Sequence, residues 1–202
     1  MDRRFDELNE QVKTLLSEIA TLRKSLDEYT KETYNRINPM AENLIDWKEK
    51  GKQVSGHDNT TIYESSTIIG DVTLGDHCWV GPFTILDGGG GLSIGEHVTI
   101  AAGAMIYSHD TLEHTLSDGE LPYAYQPVTI ERNCFIGAQA IILKGTHIGH
   151  HSLIAANAVV RGNIPPYSIV SGNKGKIVGK VVKEKGRIGF LYDEKNIKEG
   201  EG

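Results

Sequence analysis

Cysteine, basic charge and long apolar runs are all scarce in this sequence of 202 residues. The two cysteines, Cys78 and Cys134, form no CxxC or Cys/His pair, so the usual pattern of a structural zinc site is missing and reduced thiols are expected. A formal net charge of −6 argues against a nucleic-acid binder, whose surface would carry a basic patch. No apolar run approaches the ~20 residues of a membrane-spanning helix, so we expect no membrane span.

The N-terminal residues MDRRFDELNEQ are charged, whereas a secretory signal has an apolar segment there, so we predict a cytoplasmic protein. Residues 1–39 carry apolar side chains spaced alternately by three and four, the a/d pattern of a coiled-coil helix. Such a helix folds back on its own domain, pairs with another copy, or docks on a partner such as a glycosyltransferase, and its narrow stripe favours self-association. The apolar positions are Phe5, Leu8, Val12, Leu15, Ile19, Leu22, Leu26 and Tyr29.

After a linker at 40–59, an aliphatic residue returns at every sixth position, and Trp47 of the linker is expected to dock on the first of these repeats. A lasting period of six fits neither a helix nor a single strand, but it is typical of short strands stacked in a solenoid. We therefore predict an all-β solenoid over 60–170 and a C-terminal cap and tail over 171–202. The repeating positions are Ile62, Ile68, Leu74, Val80, Leu86, Ile94, Ile100, Ile106, Ile130, Ile136, Ile142, Ile148, Ile154 and Val160.

The fourth residue after each aliphatic position is almost always small, which predicts two inward side chains per repeat, one large and one small. Cys78 and Cys134 occupy such small positions, so we interpret them as core residues and not as nucleophiles. Glycine follows several aliphatic positions, where we expect it to form tight corners. These glycines are Gly75, Gly81, Gly95, Gly137 and Gly149.

The repeat breaks at about 107–127, which predicts an extruded loop, and this loop contains His109 and His114 among acidic residues and tyrosines. An imidazole, with an ordinary pKa of about 6.5, can remove a proton at neutral pH. By itself, His109 could equally be a surface histidine. If it is a base, its second ring nitrogen needs a partner, and Asp110 and Glu113 are the nearest carboxylates in sequence.

The repeats resemble the hexapeptide-repeat acyltransferases, particularly the maltose/galactoside O-acetyltransferase-like branch, which includes capsule and lipopolysaccharide acetyltransferases. The resemblance extends from Ile62 to Lys180. It implies a left-handed parallel β-helix, acetyl-CoA as donor, and a homotrimer with active sites between subunits. The stretches that carry it are TLGDHC, SIGEHV, TIERNCFIGAQAIILKGTHIGHHSLIAANAVV and IPPYSIVSGNKGKIV.

The resemblance also implies roles for individual residues. His109 matches the catalytic histidine, and we assign Asp110 as its catalytic partner. The matching donor site contains small residues along the pantetheine arm and cations near the CoA phosphates. The cofactor-binding candidates are Ala138, Ala156, Arg161, Lys174 and Lys176, and the acceptor-binding candidates are Asp87, Tyr107, His114 and Tyr123.

The sequence thus predicts an acetyltransferase that acts on a hydroxyl of a nucleotide sugar, a lipid-linked oligosaccharide or a surface polysaccharide, in one ternary complex. An amino sugar as acceptor is the alternative. A γ-class carbonic anhydrase-like zinc enzyme using His77, His109 and His114, and a non-catalytic trimeric scaffold, are the other hypotheses. We expect no metal in the preferred function.

Overall fold

The computed structural model describes residues 2–44 and 46–193, which fall into two compact units divided between Asp46 and Trp47. The first unit contains the helices α1, Asp2–Tyr34, and α2, Met40–Leu44. No glycine or proline interrupts α1, and Asn35 ends it in a left-handed conformation with φ 51°. The predicted N-terminal helix is confirmed. Within the described ranges, no helix is both long and apolar enough to cross a lipid bilayer.

The second unit begins with helix α3, Trp47–Ser55, so the stretch 40–59 predicted as a linker contains two short helices. Trp47 stacks on Tyr63 of the first coil with ring centroids 4.5 Å apart, as expected. Val54 of α3 packs against the core of the coils. Helix α3 therefore covers apolar surface at the first coil, which an open solenoid end would expose.

The following chain coils into a parallel β-helix with three faces, which confirms the predicted solenoid. Strands of consecutive coils pair in parallel and in register on the first face, where Ile62 lies beside Val80 and Ile136 beside Ile154. Most strands are two residues long, so one side chain points outward and the next inward. The first-face strands are β1 Thr61–Ile62, β3 Trp79–Val80, β5 Thr99–Ile100, β10 Phe135–Ile136, β13 Leu153–Ile154 and β16 Ser168–Ser171.

The second and third faces are joined by two long strands, β2 Thr67–Leu74 and β4 Ile85–Ile94, which run across both. The second face also contains β6 Met105–Tyr107, β11 Ile141–Ile142 and β14 Val159–Val160. The third face contains β9 Val128–Ile130, β12 His147–Ile148 and β15 Asn163–Ile164. Because the first half of β4 pairs with β6 and its second half with β9, the corner between these faces is continuous strand at β4.

The core is the column of aliphatic side chains that the period of six predicted. Every repeating aliphatic position is buried except Ile68, which is partly buried and packs on the others. The small positions four residues later are buried too, apart from a partly buried Val72. Each fully buried isoleucine contributes about 1.5–3 kcal/mol relative to an exposed one. The alternation of one large and one small inward residue is therefore confirmed.

The glycines after the aliphatic positions are explained differently from the prediction. Gly137 does not adopt a positive φ; instead, a Cβ added to it would lie 2.5 Å from the backbone nitrogen of Ala156 in the next coil. The left-handed corner positions are occupied by larger residues, including His77, Phe83, Gln139 and Asn157. Glycine is needed here because neighbouring coils approach closely.

Both cysteines are core residues, as predicted, and each is 2% exposed. Burial raises the pKa of the Cys78 thiol, and it raises that of Cys134 to about 11. Since the thiolate is the reactive species, these cysteines stay protonated and unreactive at neutral pH.

The C-terminal region adds an antiparallel hairpin to the first face. It consists of β17 Lys176–Glu184, which pairs with β16, and β18 Arg187–Tyr192, which pairs with β17. Val181 is buried, and its backbone N–H donates to the Tyr167 carbonyl at 2.8 Å. This hairpin lies in the stretch predicted as cap and tail; residues 194–202 of that stretch lie outside the described residues.

Candidate active site

The extruded loop leaves the solenoid at the corner between the second and third faces. Its base is a short antiparallel pair, β7 His109–Asp110 with β8 Ala124–Tyr125, and its outer part contains helix α4, Leu112–Leu116. Gln126 N–H donates to the Ser108 carbonyl at 2.9 Å, which closes the base. His109 therefore lies on ordered backbone next to the solenoid body, and not at the tip of the loop.

Asp87 contacts the His109 ring from within the solenoid. Parallel pairing of β4 with β6 sets Asp87 beside Tyr107, two residues before His109. The Asp87 side chain is 1% exposed; Oδ1 accepts the Gly89 N–H at 2.8 Å, and Oδ2 makes a short hydrogen bond with His109 Nδ1. Because a carboxylate accepts, Nδ1 carries the proton and Nε2 keeps its lone pair. The pair can therefore take up a proton at Nε2.

Tyr125 and Gly89 complete the surroundings of this pair. The Tyr125 ring stacks on His109 with centroids 5.5 Å apart. A Cβ added to Gly89 would lie 3.0 Å from Asp87 Oδ1 and 3.3 Å from His109 Nδ1. Glycine at this position thus leaves room for the hydrogen bond, and the imidazole is held between a buried carboxylate and an aromatic face.

The predicted orienting role of Asp110 is corrected by this geometry. Asp110 Oδ2 pairs with Lys144 Nζ at 2.8 Å, and Oδ1 accepts the Leu112 N–H at 3.2 Å. The hydrogen bond from Lys144 lowers the pKa of the Asp110 carboxyl below its ordinary value. Glu113, the other carboxylate considered, is exposed on α4. The group on His109 is Asp87, which was a candidate for binding the acceptor.

The remaining acceptor candidates are divided between two places. His114 and Tyr123 lie together in the outer loop, where their rings meet edge to face with centroids 4.7 Å apart. His114 Nδ1 is 2.6 Å from the Leu121 carbonyl oxygen, so this nitrogen donates. Tyr107 instead lies on the second face, and its hydroxyl is 3.3 Å from Met105 Sδ.

The histidines considered for zinc have separate partners. His77 is on another corner, where Nδ1 lies 3.2 Å from Asp76 Oδ2 and the ring stacks on His97. Across residues 2–44 and 46–193, no three His, Cys, Asp or Glu side chains of the chain are arranged to hold a metal ion.

The donor candidates Ala138 and Ala156 lie one above the other at the corner between the first and second faces. Asn157 N–H donates to the Ala138 carbonyl at 2.9 Å, and Gln139 N–H donates to the Ala102 carbonyl at 3.0 Å. We call the exposed set Ala102, Ala138 and Ala156 the alanine column. These small side chains follow one another over three coils.

The cationic candidates are exposed and do not form one cluster. Lys174 lies in the turn between β16 and β17, and Lys176 begins β17, at the end of the solenoid. Arg161 follows β14 and lies at the opposite edge of the second face, on the side of His109. The structure thus separates Arg161 from the alanine column within one chain.

Sequence reasoning missed Lys144 and the position of Asp87. Both can be found by counting along the repeat, because Ile142 and Leu86 are each paired with Ile106, on opposite sides of its strand. Lys144 is then level with Ser108, and Asp87 with Tyr107. Comparing equivalent positions in neighbouring coils would have placed both beside the loop.

The chain matches the family described as the hexapeptide repeat of succinyl-transferase over residues 127–161. A Saccharomyces cerevisiae protein, provisionally named as an acetyltransferase, is 34% identical over 161 residues, covering 75% of this chain and 78% of that protein. A Mycobacterium tuberculosis protein, also provisionally named an acetyltransferase, is 33% identical over 135 residues, covering 64% of this chain; the chain spans only 43% of its length. A tetrahydropyridine-dicarboxylate N-acetyltransferase of Brevibacillus brevis is 41% identical over 66 residues, which cover 33% of this chain and 28% of that enzyme.

Solved structures are similar to this chain as well. A hexapeptide-repeat acetyltransferase of Vibrio cholerae in complex with acetyl-CoA is 26% identical, with a TM-score of 0.60, covering 83% of this chain and 90% of that one. A maltose O-acetyltransferase of Clostridium difficile matches in fold, with 21% identity and a TM-score of 0.56, covering 84% of this chain and 89% of that one. These matches confirm the left-handed β-helix.

Proposed function

The chain belongs to the hexapeptide-repeat acetyltransferase family, and from this premise we propose that it transfers the acetyl group of acetyl-CoA to a hydroxyl of a sugar-containing acceptor. The observation that carries the proposal is the hydrogen bond between buried Asp87 and His109 Nδ1, which leaves Nε2 free as a base. The related Vibrio cholerae acetyltransferase was solved with acetyl-CoA, which supports the choice of donor.

His109 serves as general base. As the acceptor oxygen attacks the thioester carbonyl carbon, Nε2 takes the hydroxyl proton, and Asp87 stabilises the imidazolium that forms. The tetrahedral intermediate then expels the CoA thiolate, which receives this proton from Nε2. The products are the acetyl ester and the CoA thiol. Asp87 acts by positioning His109, and this role replaces its predicted contact with the acceptor.

The alanine column provides the donor site. Small exposed side chains leave the backbone of consecutive coils open to the thin pantetheine arm. Lys174 and Lys176, at the end of the solenoid, are available for the phosphates of CoA. Arg161 lies across the second face and would meet these phosphates from a neighbouring subunit.

The active site is shared between subunits of a homotrimer. The alanine column and His109 lie at opposite edges of the second face, so one chain does not bring donor site and base to the same edge. The outward side chains between these edges are apolar and partly exposed, which suits a subunit contact. They are Ile85, Met105, Ile141 and Val159.

Mixing two inactive variants tests this arrangement. His109→Ala lacks the base, and Ala138→Trp blocks the alanine column, so each homotrimer is expected to be inactive. In randomly mixed trimers, three of four assemblies contain both chains and one of their three sites is intact, so about a quarter of wild-type activity should return. If activity stays at the level of the parents, each site lies within one chain.

The acceptor class is tested by pairing each sugar with its amino analogue. Hydroxyl transfer is the primary proposal, and the identity with an N-acetyltransferase of Brevibacillus brevis favours an amine as the second candidate. His114, Tyr107 and Tyr123 are the proposed acceptor contacts, with Tyr125 stacked on the base.

With acetyl-CoA and a free or nucleotide-linked sugar, the protein should release CoA thiol faster than it does in buffer alone. Replacing the sugar by its amino analogue should not increase this rate further. The buried, protonated Cys78 and Cys134 will not react with a thiol reagent in this assay. Faster release with the amino sugar alone would replace the hydroxyl proposal with the amine one. Activity with neither class would favour the scaffold hypothesis.

A further inference from the structure

Helix α1 exposes a continuous apolar face. Five large aliphatic side chains on one side of it are each between 46% and 56% exposed, although a folded protein normally scatters such residues singly. The row is about 21 Å long at 1.5 Å per residue. We call it the α1 stripe, and it consists of Leu8, Val12, Leu15, Ile19 and Leu22.

The first unit itself covers only the end of this heptad pattern. Leu26 is partly buried and Thr30 is buried where α2 follows α1, and Asn43 of α2 donates to Asp27 Oδ1 at 3.2 Å. Charged side chains, such as the ion-paired Lys13 and Glu10, occupy the outer surface of the helix. The described residues of the first unit thus leave the α1 stripe uncovered.

We infer that the α1 stripe packs, in parallel and in register, on the same stripe of another copy of this chain within the homotrimer proposed above. The alternation of residue types supports this orientation. Val12 and Ile19 occupy a positions, whereas Leu8, Leu15 and Leu22 occupy d positions. Parallel packing sets a on a and d on d, so that each layer of the coil contains the same residue from every copy.

Charges beside the stripe agree with this register. Glu18 occupies a g position and Arg23 the following e position, and both are exposed. In a parallel coil, a g residue lies next to the e residue five positions later in the partner, so Glu18 of each copy meets Arg23 of the other. Antiparallel packing brings g to g and e to e, which removes this attraction. Leu16, at the e position before Glu18, widens the apolar face and is 59% exposed.

Disulfide trapping in the full chain tests the orientation. Leu8→Cys and Leu22→Cys, each made singly, should both form disulfide-linked dimers under mild oxidation, because a parallel coil sets each residue beside its own counterpart. In an antiparallel coil an a residue faces a d residue, so each cysteine would be at least about 15 Å from its counterpart. That separation is too long for a disulfide, whose Cβ atoms lie about 4 Å apart.

Matched controls define the background. Ser17→Cys places a thiol on the outer f position of the same helix and should not cross-link, and in the wild-type chain the two cysteines are buried. A disulfide formed only between co-expressed Leu8→Cys and Ile19→Cys chains would show antiparallel packing and overturn the inference. Failure of all pairs to cross-link would overturn it too, in favour of another partner such as a glycosyltransferase. Neither outcome tests the proposed role of His109 as general base.

Discussion

Replacing His109 by alanine is expected to lower kcat by about 10²- to 10⁴-fold, the usual contribution of a general base. The acceptor hydroxyl then loses its proton to water, which is a poorer base because Asp87 does not orient it as it orients His109. Affinity for acetyl-CoA should be unchanged, because the proposed donor contacts are the alanine column and the C-terminal lysines and not the His109 ring. The loss is measured as steady-state release of CoA thiol. The acceptor is the sugar identified by comparing sugars with their amino analogues.

His114→Ala is the matched control for this substitution. It removes an imidazole from the same loop, but its ring contacts Tyr123 and the Leu121 carbonyl and not Asp87. We expect it to raise KM for the acceptor more than it lowers kcat. If His109→Ala keeps wild-type kcat, His109 is not the base.

Asp87→Asn is expected to lower kcat by about 10²- to 10⁴-fold without removing the imidazole. The amide can donate to Nδ1, which moves the ring proton to Nε2 and leaves no lone pair toward the acceptor. The amide also cannot stabilise the imidazolium as a carboxylate does. Measuring kcat together with the ¹⁵N chemical shifts of the His109 ring would detect both the loss and the change of tautomer.

Asp110→Asn provides the comparison. Its carboxylate is partly exposed and pairs with Lys144 and not with His109, so kcat should change little, and loss of the pair should lower the stability by about 0–1 kcal/mol. Unfolding curves of both variants would show whether a loss of rate reflects a loss of fold. If Asp110→Asn lost as much activity as Asp87→Asn, the orienting role would belong to Asp110.

The solenoid could be predicted from sequence because its determinants recur at a fixed spacing. Each repeat needs one large and one small inward residue, so the pattern from Ile62 to Val160 shows strand positions and core together. The glycines were located correctly but explained wrongly, since the close approach of Gly137 to Ala156 involves two coils and is not a local turn. Helices α2 and α3 were missed because they are short and show little periodicity.

The candidate site was predictable only in part. His109 could be found from the break in the repeat and the resemblance to known transferases, but its partner could not. Asp87 is 22 residues away in sequence and reaches His109 only because β4 and β6 lie side by side. Proximity along the chain favoured Asp110, whose side chain turns instead toward Lys144. A tertiary contact between coils thus overrode the local expectation.

Thermal unfolding of the full chain with and without acetyl-CoA tests the central claim most directly. A ligand that binds only the native state stabilises it by RT ln(1 + [L]/Kd), about 2.7 kcal/mol at a hundredfold excess over Kd. We expect a stabilisation of that size with acetyl-CoA, the same size with His109→Ala, and a smaller one with Ala138→Trp. An unfolding curve that acetyl-CoA leaves unchanged at millimolar concentration would contradict the assignment of this β-helix as an acetyl-CoA-dependent transferase.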